Sequence, residues 1–311
     1  MTDRSALHVA VGVVRDKNDN ILLTQRAKHT HQGGLWEFPG GKLEANETVL
    51  QALQRELHEE VGIKVRTAKP LIKIKHQYPD LNVLLDVWQV INFDGIAMAC
   101  EGQAMRWVAA QHLTQYDFPA ANVPITAAAR LPDRYAILEG CSYPQVIHNL
   151  NTMLDKQVKL LQVRLKSLPT SEIESVLNAI LPICQQHQIT VLINSDLPFN
   201  GQKTAGLHLS SRALLACDRR PDNYEWVAAS CHNQEELKQA ERIGADFVVL
   251  APILPTATHP HAKPLGWENL QTLIEQVNLP VFALGGLSLQ DIDRVIDVGG
   301  QGIAGISAFL E

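Results

Sequence analysis

Apolar and polar positions along this chain follow two rhythms, and the change falls near Leu131-Pro132-Asp133. Before it, short apolar or alternating stretches at 8–14, 21–23, 71–75, 83–91 and 105–108 read as strands. The first two flank Asp16-Lys-Asn-Asp-Asn20, a cluster of turn formers. Residues 48–61 instead carry helical spacing, so this half reads as mixed α+β with one prominent helix. After the change, apolar runs at 135–138, 160–165, 190–194, 206–209, 226–229, 247–250, 281–284 and 302–306 are separated mostly by helix-like stretches. Such alternation predicts a compact (β/α)₈ barrel, an α/β fold of its own. The expected domains are residues 1–131 and 134–311. The second is shorter than the roughly 250 residues usual for such barrels, so some crossovers must be short. Ser288 and Asp291 are spaced to cap the last helix.

The predicted helix over 48–61 gathers like charges. At 3.6 residues per turn, Glu56, Glu59 and Glu60 fall within an arc of about 100°. Like charges at three- and four-residue spacing destabilise a bare helix by roughly 0.2–0.5 kcal/mol per pair. A hard divalent cation such as Mg²⁺ takes oxygen ligands and shares them with substrate phosphates, which turns that repulsion into a binding site. Gly40 and Gly41, just upstream, let the backbone come close to phosphate or metal.

Composition narrows the partners. The 311 residues carry 27 Lys and Arg against 33 Asp and Glu, a net charge of −6. That balance argues against a nucleic-acid polymer, which is usually met by a basic stripe, and leaves a single metal-neutralised nucleotide open. The five cysteines are odd in number and form no Cys-x-x-Cys pair, so neither a disulfide framework nor a zinc site is expected. The opening residues lack the apolar core of a signal peptide, and no apolar run reaches about 18 residues. A cytoplasmic protein with no membrane partner is the expectation.

The acidic segment resembles the Nudix box, with Gly41, Glu47, Arg55, Glu56, Leu57, Glu59, Glu60, Gly62 and Ile63 in its fixed positions. Residues 6–131 look like the MutT-type pyrophosphohydrolases, which act on 8-oxo-dGTP. The matching stretches are Val9-Ala-Val-Gly-Val-Val, Gln25-Arg-Ala, Glu37-Phe-Pro-Gly-Gly-Lys42, Glu101-Gly-Gln and Asp117-Phe-Pro-Ala-Ala-Asn-Val-Pro124. The resemblance implies that Glu56, Glu59, Glu60, Glu101 and the Gly40 carbonyl hold Mg²⁺, with Mn²⁺ as a substitute. It implies that Arg55 orients a motif carboxylate and Glu47 braces the loop. Glu56 or Glu101 would be the base, and water would attack the β-phosphorus to give nucleoside monophosphate and pyrophosphate. Arg26, Glu37, Phe38, Tyr78 and Asn122 would surround the substrate. Guanine offers acceptors at O6 and N7, whereas its 8-oxo form carries a hydrogen on N7. The Asn122 carboxamide offers one donor group and one acceptor, which pairs with the oxidised base.

Residues 134–309 resemble the thiamine phosphate synthase and TenI-like thiazole tautomerase superfamily. The resemblance rests on Gln162-Val-Arg-Leu-Lys166, Ile193-Asn194, Gly206-Leu-His-Leu, Ser230-Cys-His232, Pro255-Thr-Ala-Thr258, Leu284-Gly-Gly-Leu287 and Ile306-Ser-Ala. It implies a phosphate ligand, thiazole or thiamine phosphate, near Arg164, Lys166, Asn194, Ser230, His232, Thr256, Thr258, Gly285, Gly286 and Ser307. Three positions depart: Ser195 and Ala213 stand where the synthases carry metal-binding aspartates, and His259 where they carry a lysine. These departures predict a barrel inactive as a synthase, with His232 available for proton transfer. The leading expectation is an 8-oxo-dGTP diphosphatase that avoids mutation by cleaning the nucleotide pool. Two alternatives stay open: a hydrolase of hydroxymethylpyrimidine pyrophosphate or damaged thiamine diphosphate, and a barrel that senses a phosphate ligand or docks a partner.

Overall fold

The computed structural model describes residues 6–198, 206–256 and 263–311. The chain divides into two compact units, Met1–Arg130 and Leu131–Glu311.

In chain order the first unit runs β1 (Leu7–Val14), β2 (Asn20–Gln25), β3 (Trp36–Glu37), β4 (Gly40–Lys42), α1 (Val49–Val61), β5 (Lys64–Gln77), β6 (Asn82–Asp94), β7 (Met105–Ala109) and α2 (Val123–Arg130). Four strands form a mixed sheet in the order β4-β1-β6-β5, in which β1 and β6 are parallel. An antiparallel sheet, β3-β2-β7, accompanies it. The periodicity over 71–75 captured only part of β5. Pro70 and the surrounding lysines look unlike a strand, yet β5 is an edge, where an absent N–H and exposed charge are tolerated.

Helix α1 begins at a capping box: Gln51 N–H donates to the Thr48 hydroxyl, and Thr48 N–H donates to the Gln51 side chain. It ends at Gly62, whose φ of 71° is left-handed and whose N–H donates to the His58 carbonyl. Ala52, Leu53, Leu57 and Val61 bury one face among Ala10, Val14, Leu22, Ile63, Val65 and Val90. Each fully buried Leu or Val contributes about 1.5–3 kcal/mol, far above the repulsion among the glutamates, so packing sets which face points out.

The second unit runs β8 (Arg134–Leu138), α3 (Tyr143–Asp155), β9 (Leu160–Val163), α4 (Thr170–Gln186), β10 (Thr190–Asn194), β11 (Gly206–Leu209), α5 (Ser211–Leu215), β12 (Val227–Cys231), α6 (Gln234–Ile243), β13 (Phe247–Leu250), α7 (Gly266–Ile274), β14 (Val281–Leu284), α8 (Ile292–Asp297) and β15 (Gly302–Gly305). All barrel strands are parallel, and β15 pairs with β8 to close the barrel. Each predicted apolar run coincides with a barrel strand, and the single-turn helices α5 and α8 keep the barrel compact. The Ser288–Asp291 capping box forms on a 3₁₀ turn, Leu289–Asp291, that leads into α8 rather than on the α-helix itself. Tyr135, Phe247 and Phe282 fill the barrel interior, with ring centroids 5.3–5.6 Å apart. No helix among the described residues is long and apolar enough to cross a membrane.

Candidate active site and barrel cavity

In the first unit the outward face of α1 meets the glycine strand β4. The Gly40 N–H donates to Glu60 Oε2 at 3.0 Å. Arg55 ties the loop to the helix: Nε donates to Glu47 Oε1 at 2.8 Å, Nη2 to Glu47 Oε2 at 2.9 Å, and Nη1 to Glu56 Oε1 at 2.8 Å. Its contact with Glu59 is longer, 3.3 Å, and the Glu59 side chain is 57% exposed. Hydrogen bonding from Arg55 holds the Glu47 carboxyl well below its usual range. Glu101 lies on an exposed turn, but its loop is pinned to the end of α1. There Gln103 Nε2 donates to the Glu60 carbonyl at 2.8 Å and Cys100 N–H to the same oxygen at 3.1 Å. Burial pushes the Glu60 carboxyl up, the Gly40 amide opposes the rise, and the charges of Glu101 and Glu56 add to it. Glu56 and Glu101 therefore both repel Glu60, an all-oxygen arrangement suited to a hard cation. Among the described residues no three such groups converge on one point as a finished metal cage.

Gly41 has a steric duty here. A Cβ at this position would lie 2.1–2.3 Å from the Glu56 carboxyl group. The Glu56 side chain can swing away cheaply, so Gly41→Ala is expected to leave the melting temperature within a few degrees of wild type. The displaced carboxylate should cost about 10²-fold in kcat, the scale of an ångström misplacement at a reacting centre. Parallel melting and steady-state hydrolysis measurements check this, and an unchanged kcat would remove Glu56 from the chemistry.

The predicted base-recognition residues fall into a connected group. Arg26 Nη1 donates to Glu37, and Arg26 Nε donates to the His31 carbonyl at 2.8 Å. The His31 ring meets Tyr78 edge-on at 4.9 Å, and the Tyr78 hydroxyl accepts the Ala121 N–H at 3.4 Å. Asn122 is next in the 3₁₀ turn Ala120–Asn122 and is 8% exposed. Its carboxamide makes no hydrogen bond within the described residues. Burial pushes the Glu37 carboxyl up to about 7, with Arg26 opposing and Glu60 adding repulsion. Phe38 differs from the others: it is buried in the core and stacked on Phe118 at 5.4 Å.

The barrel holds a cavity of about 610 Å³. Arg164, Lys166, Asn194, Ser230, His232, Thr256 and Gly285 all line it, whereas Gly286 and Ser307 are not among its lining residues. Thr258 and His259 lie outside the described residues. Asp196, two residues from Asn194, is already occupied. It accepts from Ser210 Oγ at 2.8 Å and sits 3.5 Å from Lys166 Nζ and 3.4 Å from Arg212 Nη2. Burial works against its ionisation, but Ser210, Lys166 and Arg212 outweigh that and hold its carboxyl below the usual range. Arg164 pairs with Glu139. The His232 Nδ1–H donates to the Ala251 carbonyl at 2.8 Å, since a carbonyl only accepts, which leaves Nε2 with its lone pair in the neutral ring.

Sequence reasoning missed the groups beneath this cavity. Tyr135 and His208 are fully buried and hydrogen-bonded at 3.0 Å, and His208 reaches Ser230 Oγ at 2.9 Å. Two polar residues in the middle of apolar strands, Gln162 in Leu-Leu-Gln-Val and His208 in Gly-Leu-His-Leu, were the available signal. Burial pushes the His208 imidazole down to about 3, and the charge of Arg164 adds to the effect. Native His208 then stays neutral below pH 6.5 while the unfolded residue gains a proton, so its contribution to stability is intact above pH 6.5 and is lost as pH falls toward about 3. The slope is about 1.4 kcal/mol per pH unit in that window. Urea unfolding at pH 7 and pH 5 should give a loss of unfolding free energy that is smaller by about 2 kcal/mol in His208→Gln; equal losses would contradict the assignment.

A barrel closed by parallel strands and an α+β unit with a carboxylate helix against a glycine strand make up a two-domain chain. Residues 10–128 match the family model of the NUDIX domain, and residues 135–309 that of thiamine monophosphate synthase. The chain belongs to the Nudix family through its first unit and to the thiamine monophosphate synthase family through its second. It is 40% identical over 121 residues to the 8-oxo-dGTP diphosphatase of Escherichia coli (strain K12), covering 39% of this chain and 94% of that protein. It is 36% identical over 118 residues to the CTP pyrophosphohydrolase of the same organism, covering 38% and 87%. The barrel is 34% identical over 155 residues to the thiamine-phosphate synthase of Chlorobium phaeovibrioides (strain DSM 265 / 1930), covering 48% and 73%.

Proposed function

We propose that the first unit hydrolyses 8-oxo-dGTP to 8-oxo-dGMP and pyrophosphate with Mg²⁺, and that the barrel binds a phosphate-bearing small molecule without acting as a synthase. The observation that carries the first part is the Asn122 carboxamide, in a residue only 8% exposed and without a hydrogen bond among the described residues, one position from the Ala121 N–H that the Tyr78 hydroxyl accepts. An amide whose donor group and acceptor are both free suits a base that offers a donor beside an acceptor. Glu56, Glu59, Glu60 and Glu101, with the Gly40 backbone, would hold the metal, which when bound neutralises the phosphates and acts as a Lewis acid. Arg55 holds Glu56 in place and Glu47 fixes Arg55. Glu56 or Glu101 accepts the proton of the attacking water.

In the barrel the metal implied by the synthase family does not fit. Ser195 and Ala213 bring no charge, and Asp196 is engaged by two cations and a hydroxyl. Lys166, Arg212 and the backbone of Gly285 favour an anion without a metal, and His232 Nε2 is placed to accept a proton from the ligand.

The deciding experiment compares kcat/KM for 8-oxo-dGTP, dGTP, CTP and hydroxymethylpyrimidine pyrophosphate on the full chain, with products identified. Preference for 8-oxo-dGTP with pyrophosphate release is expected. Preference for CTP, or for the pyrimidine pyrophosphate, would overturn the reading, and the latter would join both domains in thiamine chemistry.

A further inference from the structure

Beside Ser195, the barrel cavity already holds an anion that belongs to the chain itself. The Asp196 carboxylate lies between two cations: Oδ2 is 3.5 Å from Lys166 Nζ, and Oδ1 is 3.4 Å from Arg212 Nη2. Both separations exceed the about 2.7–2.9 Å of a tight charge-assisted hydrogen bond. Only the Ser210 hydroxyl holds the carboxylate closely, donating to Oδ1 at 2.8 Å. All four residues line the cavity. Neither Lys166 nor Arg212 pairs with another carboxylate among the described residues, and their side chains are 47% and 87% exposed, so both can turn toward a ligand. The neighbouring charges are committed elsewhere. Arg164 pairs with Glu139, and Glu236 accepts from Ser211 Oγ and from the His232 N–H, each at 2.6 Å. A ligand anion drawn to Lys166 and Arg212 therefore meets a carboxylate in its place, one that is tethered and competes at high effective concentration.

We propose that Asp196 is a specificity-determining residue of the barrel, a built-in anion on Lys166 and Arg212 that excludes monoanions and admits a phosphoryl dianion at reduced affinity. The inference rests on reading the cavity as a phosphate-ligand site. A monoanion offers the two cations no more charge than Asp196 does, so it gains nothing by replacing the tethered group. A phosphoryl dianion brings twice the charge and three acceptor oxygens, and it draws Lys166 and Arg212 away while Asp196 stays on Ser210 as a repulsive neighbour. The sign of this effect is its signature. A carboxylate that held a metal for the ligand would weaken binding when neutralised, whereas neutralising Asp196 strengthens it.

Calorimetry on the full chain tests this, with inorganic phosphate as the dianion, formate as the monoanion and EDTA present to exclude metal. Asp196→Asn keeps the shape of the side chain and can still accept from Ser210, so the loop should hold. It should bind phosphate about tenfold or more tighter than wild type, the effect of removing a negative charge a few ångströms from the bound anion. Asp196→Ser should repeat the gain. Adding Lys166→Met to Asp196→Asn should abolish it, which places the gain at this cation pair. Formate should compete with phosphate in Asp196→Asn at concentrations that leave the wild type unaffected. Phosphate affinity that is unchanged or weaker in both Asp196 variants overturns the inference and leaves the cavity as a phosphate site, and formate competing equally in wild type and variant overturns the exclusion of monoanions. Phosphate binding to neither wild type nor variants removes the reading of the cavity and the role of Asp196 with it.

Discussion

Glu56→Gln should lower kcat for 8-oxo-dGTP hydrolysis by about 10³-fold or more while KM changes by less than about tenfold, the pattern of an interaction made in the transition state. The substitution keeps shape: Gln can still lie against Gly41 and accept from Arg55 Nη1, so folding and loop geometry should persist. What it removes is one of the two negative charges that bear on the Glu60 carboxylate. A bound cation would relieve that repulsion, so the variant should also need more Mg²⁺ to reach its reduced maximum. Glu59→Gln is the internal comparison. Its side chain is 57% exposed and touches Arg55 only at 3.3 Å, so a loss of about tenfold is expected. Steady-state rates across a Mg²⁺ titration decide the matter: a Glu56→Gln enzyme within tenfold of wild type would take this carboxylate out of the site.

The helix behind that prediction was legible because local and long-range demands agree on it. The cap at Thr48, the left-handed Gly62 and the buried Leu53 and Leu57 all place the glutamates outward, and each is a local signal. The barrel strands were legible for a similar reason: they are buried on both faces and read as unbroken apolar runs. Half of β5 was hidden because an edge strand tolerates Pro70 and lysines that mimic a loop. The cavity floor was hidden for a deeper reason. Its hydrogen bonds join Asn194 to Gln162 across 32 residues and Tyr135 to His208 across 73. No local pattern in the chain signals pairings at such separations. Asp196 tells the same story with charge: the sequence offered a carboxylate beside a lost metal position, and folding gave it to Lys166 and Arg212 instead.

Asn122→Ala should reduce the preference for 8-oxo-dGTP over dGTP by about 10³-fold, mostly by lowering kcat/KM for the oxidised substrate. A site that pairs a buried carboxamide with a donor and an acceptor on the base can discriminate by about 10⁴-fold or more, because the wrong base leaves polar groups unpaired on both sides. Here the amide is 8% exposed and makes no internal hydrogen bond among the described residues, so removing it costs the fold little. An Asn whose task was to shape the turn before Pro124 would behave the opposite way, with a stability loss and intact discrimination. Its backbone N–H already closes that turn on the Pro119 carbonyl at 2.8 Å, a bond that Ala retains. Asn122→Asp sharpens the test. An ionised carboxylate only accepts, so it can meet the N7 hydrogen of the oxidised base but repels O6, and it should discriminate poorly despite its matching shape. Competition kinetics with both triphosphates in one vessel measures the ratio directly, and a ratio within threefold of wild type in both variants would move base recognition away from Asn122.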